Sequence, residues 1–520
     1  MKIPALLTSL FTTAFLATAA TPASAQIGLD VSGGIVGETL ICDLSGTVPA
    51  SEFVILTFSD TTGPLPVSVV IPGELGFWDQ DLTMFSYPAF LQGSAYTNPL
   101  GNIDLSLLPP TLVGATVFGQ AWTTGLGTPF LNLKSNVITV ILGVHGMSTP
   151  TLLPPLSPHA YFGCIGLNDG NVLCVGGADS LGGTGTGSAE VYDYKTSTFS
   201  LTTGQPVNGP RATSASVKLS DGRVLVCGGV DALGAIGAAA ELYDPVTNTF
   251  SATGSMNTPR ALHTATLLND GRVYVCGGST SVSGADPVAQ LLSVVSSATA
   301  AAEIYNPATG LWTNVASMAA KRTGHVANLL SDGRVLIAGG VNTNFLGLPV
   351  FLTSATRYNA PTNAYVATAT MGGGGRALSI STILANGRVL VSGGLNADLL
   401  TQSVTAVNAV SIYDNTTNTW QNGPNMLAGR YAHTATLLPD GEVLVAGGVT
   451  GTASATTAAT TLASCEGYTT INTWVARPNM LQQRAAHGAV LTKDGKRIVI
   501  VGGAGDFGLI DPGTSELYVP

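Results

Sequence analysis

RALHTATLLNDGRVYVCGG, residues 260–278, holds the reading that decides the fold. Two short runs rich in β-branched, aliphatic and aromatic residues flank the turn Asn269-Asp270-Gly271-Arg272, and the second run ends on Gly277-Gly278. Runs of this length bounded by Gly, Asn and Asp read as strands. The Asp-Gly pair reads as a tight hairpin, because glycine supplies the positive φ that such turns need. Downstream, after a variable stretch, AAEIY ends at Tyr305, Asn306-Pro307 turns the chain, and a fourth run opens at Trp312. One unit is therefore a meander of four antiparallel strands.

The unit recurs along the chain. Glycine doublets end hydrophobic strands at Gly176-Gly177, Gly228-Gly229, Gly277-Gly278, Gly339-Gly340, Gly393-Gly394, Gly447-Gly448 and Gly502-Gly503, spaced 49 to 62 residues apart. The hairpin signal repeats at Asp169-Gly170, Asp221-Gly222, Asp332-Gly333, Asn386-Gly387, Asp440-Gly441 and Asp494-Gly495. The fourth strand opens on an aromatic at Phe199, Phe250, Trp312, Tyr365, Trp420 and Trp474. A repeat of this period whose unit is a strand quartet predicts one propeller blade per unit, seven in all.

These units resemble kelch repeats, the family marked by a Gly-Gly doublet after the second strand and by Tyr and Trp at later offsets. The resemblance covers residues 158 to 520. It implies a seven-bladed β-propeller of the galactose oxidase central-domain-like superfamily, secreted and bacterial in type, with the first strand of each blade lining a central channel. It implies no single function, since one fold hosts enzymes, scaffolds and binding modules.

The seventh unit stops after Ser515-Glu516-Leu517-Tyr518, short of a fourth strand. An open blade edge leaves backbone groups unpaired, so a strand near residues 147–153 is expected to pair with the last blade and close the ring. Ahead of the propeller, Met1-Lys2, an apolar run from Ile3 to Ala20 and Ala23-Ser24-Ala25 read as a signal peptide cleaved before Gln26. Export, to the periplasm, the cell envelope or the medium, is expected. Residues 26–143 carry short strand-like segments between Gly, Pro, Ser and Asn clusters, which predict a small β-sandwich. Its aromatics, Phe77, Trp78 and Trp122, suit either a core or a sugar platform. The propeller then occupies residues 144–520.

Charge narrows the partners. Twenty Lys plus Arg against thirty Asp plus Glu give a net charge of −10, which disfavours nucleic acid and anionic membranes. No stretch has the length and character of a spanning helix; the apolar segment from Val288 to Ala302 is too short. The expected partner is a protein or a glycan, and the expected state a monomer. Of six cysteines, Cys227 and Cys276 occupy one place in adjacent blades, too far apart to bridge, and read as core residues. Cys164 and Cys174 lie on the two arms of one hairpin, and whether they face each other depends on the count of turn residues.

In a meander, the Asp-Gly turns lie on one rim of the ring. The loops after each glycine doublet lie on the other, with long inserts at 279–299, 341–355, 395–408 and 449–464. Insertions confined to one face of a repeat array mark its binding surface. On that rim Arg211, Arg260, Arg322, Arg376, Arg430 and Arg484 begin the channel strands, with His159 in the remaining unit, and His263, His325, His433 and His487 follow three residues later. A guanidinium ring suits an anion or a carboxylate, and four imidazoles suit a metal. A residue present in nearly every blade is also what a scaffold would need, and Glu190, Glu241, Glu303, Glu466 and Glu516 offer structural partners.

The layout of β-sandwich followed by kelch propeller resembles galactose oxidase, a copper radical enzyme. That family uses a neighbouring Tyr-His pair, a tyrosine joined to cysteine and a ligand from a domain after the propeller. Here the nearest match is Tyr431-Ala432-His433, and the chain stops at Pro520. The sugar-mutarotase type of kelch propeller would need a Glu and an Arg that break the repeat, and no such pair stands out. A binding module with no cofactor is the expectation; a copper oxidase or a sugar-modifying enzyme is the alternative.

Overall fold

A computed structural model describes residues 155, 159–178, 187–283, 292–398, 403–453, 459–505 and 515–519 with their side chains. It describes the backbone of residues 28–32, 39–45, 52–60, 63–71, 99–104, 116–125, 131–141, 147–150 and 287–291. The chain divides into two compact units, residues 1–145 and 146–520. The leader segment, Phe77 and Trp78 lie outside the described residues.

In the first unit, Gly28–Ser32, Thr39–Ser45 and Pro99–Asp104 form a three-stranded antiparallel sheet. Gly63–Ile71, Glu52–Asp60, Thr116–Gly125 and Leu131–Ile141 form a second sheet in that order. Trp122 lies on the third of these strands.

The second unit is the seven-bladed propeller. Blade 3 shows the pattern, with Thr264–Leu267, Val273–Cys276, Ala302–Asn306 and Leu311–Val315 paired in sequence order. Every second strand in the ring is buried along its whole length, from Val172–Val175 in blade 1 to Ile498–Val501 in blade 7. Such strands are packed on both faces and read as near-continuous apolar runs rather than as alternation. The first strands of consecutive blades touch one another in a closed cycle, including Gly488–Leu491 of blade 7 against Gly163–Gly166 of blade 1.

Met147–Pro150 pairs antiparallel with Ser515–Val519 and supplies the fourth strand of blade 7. The ring is spliced from both ends of the unit, within the 147–153 stretch that the repeat phase indicates. Outer strands are held by cross-strand aromatic pairs, such as Tyr243 with Phe250 and Tyr413 with Trp420, at centroid distances of 5.0 and 5.1 Å.

The glycine doublet is what joins one blade to the next. The N–H of its second member donates to the carbonyl of the residue that begins the next blade's inner strand. The bonds run Gly177 to Arg211, Gly229 to Arg260, Gly278 to Arg322, Gly340 to Arg376, Gly394 to Arg430, Gly448 to Arg484 and Gly503 to His159, at 2.7 to 2.9 Å. A Cβ on Gly228 would stand 2.4 Å from the Arg260 carbonyl oxygen, and the backbone there has φ of +67°. A Gly228→Ala variant is therefore expected to lose at least about 2 kcal/mol of unfolding free energy. Gly387→Ala, at a hairpin turn with φ of +79° and open space around it, is expected to lose only about 1 kcal/mol. Urea titration of the two variants checks the difference.

Candidate functional site: one rim of the ring

The side chains of the channel-strand arginines point into the wall, where each is at most 4 % exposed. Arg260 donates through Nη1 to the carbonyls of Gly277 and Ala301 and through Nη2 to Glu303 at 2.6 Å. Arg430 repeats this on Gly447, Ser464 and Glu466. Arg211 pairs with Glu241, Arg484 with Glu516, and His159 with Glu190. Each pair lies within one blade.

The same glutamates tie down the chain arriving from the blade before. Glu303 accepts the N–H groups of Asn257 and Thr258, and Glu466 those of Leu427 and Ala428. One carboxylate thus satisfies a buried guanidinium and two loop amides, which is what makes burying the charge tolerable.

Blades 4 and 5 omit the acid. Thr356 and Ser411 stand in its place, yet Arg322 and Arg376 remain 2 % and 1 % exposed. In blade 5 the loop itself compensates: Arg376 donates to the carbonyls of Gly372, Gly374 and Val391 and to Ser411 Oγ. Gly373 and Gly374 take φ of +73° and +85°, so the Gly372–Gly375 run can turn carbonyls inward where other blades turn amides. Burial without a carboxylate lowers the Arg376 guanidinium to about 10 and also lowers that of Arg322.

The histidines are equally internal. His263, His325, His433 and His487 are 2 to 8 % exposed, and each ring packs over the glycine doublet of the preceding blade. Nε2 of His433 lies 3.1 Å from Ser392 Oγ, that of His487 2.9 Å from Thr434 Oγ1, and that of His325 3.0 Å from Thr264 Oγ1. His263 Nε2 lies 3.7 Å from Cys227 Sγ. The imidazoles are spread around the ring as wedges between blades and are not brought together in the channel. Among the described residues no group of three or more His, Cys, Asp or Glu side chains could hold a metal. The ten rim residues singled out from sequence are thus buried at the joints between blades.

What breaks the repeat lies nearby. The second residue after each Arg or His takes the left-handed conformation, with φ of 52° to 60° at Tyr161, Thr213, Leu262, Gly324, Leu378, Ala432 and Ala486. Their amides follow one another around the axis, as in Thr213 N–H to Tyr161 O at 2.9 Å and Leu378 N–H to Gly324 O at 2.8 Å. That chain of bonds holds non-glycine residues where only glycine is at ease. Two tyrosines mark this mouth: Tyr161 at the left-handed position, and Tyr431 one position earlier in its blade, where every other blade carries Ala or Thr. Burial first, then the neighbouring Tyr431, pushes the Tyr161 hydroxyl up to about 12.

The inserts form the outer part of the rim. Their first residues bridge to the segment after each Arg, as in Ala261 with Ser279 and Tyr431 with Val449, which places inserts and arginines at the same end. The insert of blade 3 contains a helix, Pro287–Ser296, where the sequence suggested only an apolar loop. That of blade 4 is a hairpin, Val341–Thr343 with Pro349–Phe351. In blade 5, Leu395–Asp398 pairs with Ser403–Ala406, which in turn pairs with Thr452–Ala453 from blade 6. The helix touches the blade 4 hairpin and that hairpin touches Leu395–Asp398, with Val295, Val341 and Ala377 buried together beneath. Four inserts thus fuse into one continuous shelf.

The shelf carries apolar surface outward. Phe345 at the blade 4 hairpin tip is 95 % exposed, and Leu346, Leu348 and Val350 beside it are also exposed. A cavity of about 500 Å³ opens on the same rim, lined by Ala463, Leu481, Gln482, Gln483, Arg484 and Gly505.

The Kelch motif family matches residues 260–319. No curated protein sequence matches the chain. Among solved structures it is similar to a fungal alcohol oxidase of the AA5 family in complex with copper, at 17% identity over 72% of this chain and 76% of that one, with a TM-score of 0.55. It is also similar to YjhT, at 16% identity over 59% of this chain and 94% of that one, with a TM-score of 0.45. The likeness is one of fold, a kelch-type β-propeller. Of the Tyr431-Ala432-His433 segment, His433 is buried with Nε2 3.1 Å from Ser392 Oγ.

Two outcomes follow from the buried joints. Glu466→Gln should cost about 3 kcal/mol or more, since Arg430 stays buried without its anion, whereas Ser411→Ala in blade 5 should cost about 1 kcal/mol; urea unfolding separates them. The second outcome concerns pH. Burial, then the adjacent arginine, lowers His263 and His433 to about 3, and protonation would place a donor at Nδ1, which has no partner. Unfolded imidazoles titrate near 6.5, so the unfolded chain binds more protons between about pH 6.5 and 3 and stability falls on acidification through that window. His433→Asn is expected to flatten that pH slope by up to about 1.4 kcal/mol per pH unit. An unchanged slope in pH-dependent urea titrations would contradict the neutral, buried imidazole.

Proposed function

We propose that this protein is a secreted, non-enzymatic binding module that presents the shelf on one propeller rim to a protein or glycan ligand. The observation that carries the reading is the fusion of four inserts into one layer tipped by Phe345 and Leu346. An isolated exposed apolar side chain is ordinary, but a contiguous apolar tip on a built platform marks an interaction surface. Four exposed apolar side chains on one hairpin favour a protein ligand. Tyr161 and Tyr431 at the channel mouth supply ring faces of the kind that suit a sugar. Export is supported by the leader composition of residues 1–25.

The experiment is a screen of secreted proteins and of glycans against the full chain, repeated on Phe345→Ser/Leu346→Ser and on Tyr161→Ala/Tyr431→Ala. Ligand binding is expected to weaken about tenfold or more in one of these variants, with the melting midpoint of Phe345→Ser/Leu346→Ser unchanged. Asp221→Asn, on the opposite rim, is expected to leave binding intact. A ligand whose binding ignores both rim variants and is lost with Asp221→Asn would overturn the reading.

A further inference from the structure

We propose that Cys164 and Cys174 form a disulfide that pins the first blade at the seam of the ring. The two residues are direct partners across the hairpin of Gly163–Gly166 and Val172–Val175. The turn is closed by the Leu167 amide on the Asn171 carbonyl at 2.8 Å, which makes Leu167 and Asn171 a hydrogen-bonded pair. Bonded and unbonded pairs alternate along an antiparallel ladder. Ile165 with Leu173 is therefore bonded and Cys164 with Cys174 is not. Unbonded pairs bring their Cα atoms to about 4.5 Å, inside the span a disulfide bridges.

Comparison with the other six blades sharpens the case. The equivalent pairs are Ser216 with Val226, Ala265 with Val275, Ala327 with Ile337, Ser381 with Val391, Ala435 with Val445 and Ala489 with Ile500. A small residue faces a β-branched one everywhere else. Only in blade 1 have both members changed, and both have become cysteine. Cys227 and Cys276 sit one register position away, facing the histidine of the next blade at 3.7 and 3.5 Å, so they belong to a different set.

The surroundings accommodate the sulfurs. Blade 7 presents Gly488 to Cys164, and a Cβ there would stand 2.5 Å from its Cβ and Sγ. Both thiols are free in this structure. A hydrogen bond to Cys164, then burial, holds the Cys174 thiol well above the usual thiol range, whereas Cys164 is half-buried and is the one an oxidant can reach. Oxidation then runs by exchange. The Cys164 thiolate attacks an external disulfide, such as glutathione disulfide, and expels one thiol; Cys174, losing its proton, attacks the mixed disulfide at Cys164 and expels the second. Two electrons and two protons pass from the cysteines to the oxidant. The location matters, because blade 1 adjoins the blade spliced from both ends of the unit.

The test uses the full chain equilibrated in oxidising glutathione buffer, alkylated in denaturant without reductant and cut by an aspartate-directed protease, since Asp169 lies between the two cysteines. The expected result is two peptides joined through Cys164 and Cys174, with a mass lower by two hydrogens, and a melting midpoint about 2–5 °C higher than after reduction. Cys164→Ala/Cys174→Val recreates the pair of blades 3 and 6, and is expected to fold and to lose the oxidant-dependent rise. Full alkylation of both cysteines in the oxidised wild type, or the same rise in the double variant, would overturn the proposal.

Discussion

One backbone hydrogen bond, repeated at every blade junction, holds the propeller as a ring: the second glycine of a doublet donates to the carbonyl that begins the next blade's inner strand. The bond needs a strand end that turns with positive φ and two backbones in close approach, and glycine alone meets both demands at low cost. Everything else at the joint serves to hold that carbonyl in place. The arginine bearing it is buried and anchored to its own blade by the glutamate, which also fixes the incoming loop. The histidine three residues on wedges its ring above the preceding doublet.

This accounts for two facts that seem at odds. Charged groups ring the channel mouth, yet almost none is open to solvent. Blades 4 and 5 show that the guanidinium is kept even where its acid is lost. In blade 5 the four-glycine run supplies carbonyls in place of the carboxylate. In the six blades that begin with arginine, the constant element is thus a buried guanidinium bonded through its Nη groups, and the acid is one of two ways to satisfy it.

Much of this was legible in the sequence. The doublets, the Asp-Gly turns and the Tyr-aromatic offsets set the blade count and the strand order, and the missing fourth strand of the last blade pointed to the closing strand at Met147–Pro150. The glutamates two places before the third-strand Tyr named the partners of Arg211, Arg260, Arg430 and Arg484. Other features were hidden because they are not local. The left-handed residues Thr213, Leu262, Leu378 and Ala432 carry no glycine signature, since amide bonds around the axis impose their conformation. Pairing between inserts of different blades, as in Ser403–Ala406 with Thr452–Ala453, leaves no pattern within either insert. The apolar hairpin tip at Phe345 reads in sequence like any buried stretch.

Joint and platform therefore divide the rim between them: the inner circle is spent on closing the ring, and the outer shelf is free to vary. Hydrogen exchange of the doublet amides in the full chain tests that division most directly. If the joints form one closed ring, the N–H groups of Gly177, Gly229, Gly278, Gly340, Gly394, Gly448 and Gly503 should exchange together at the rate of global unfolding. Fast and independent exchange at several of these glycines, with the blades themselves still protected, would contradict it.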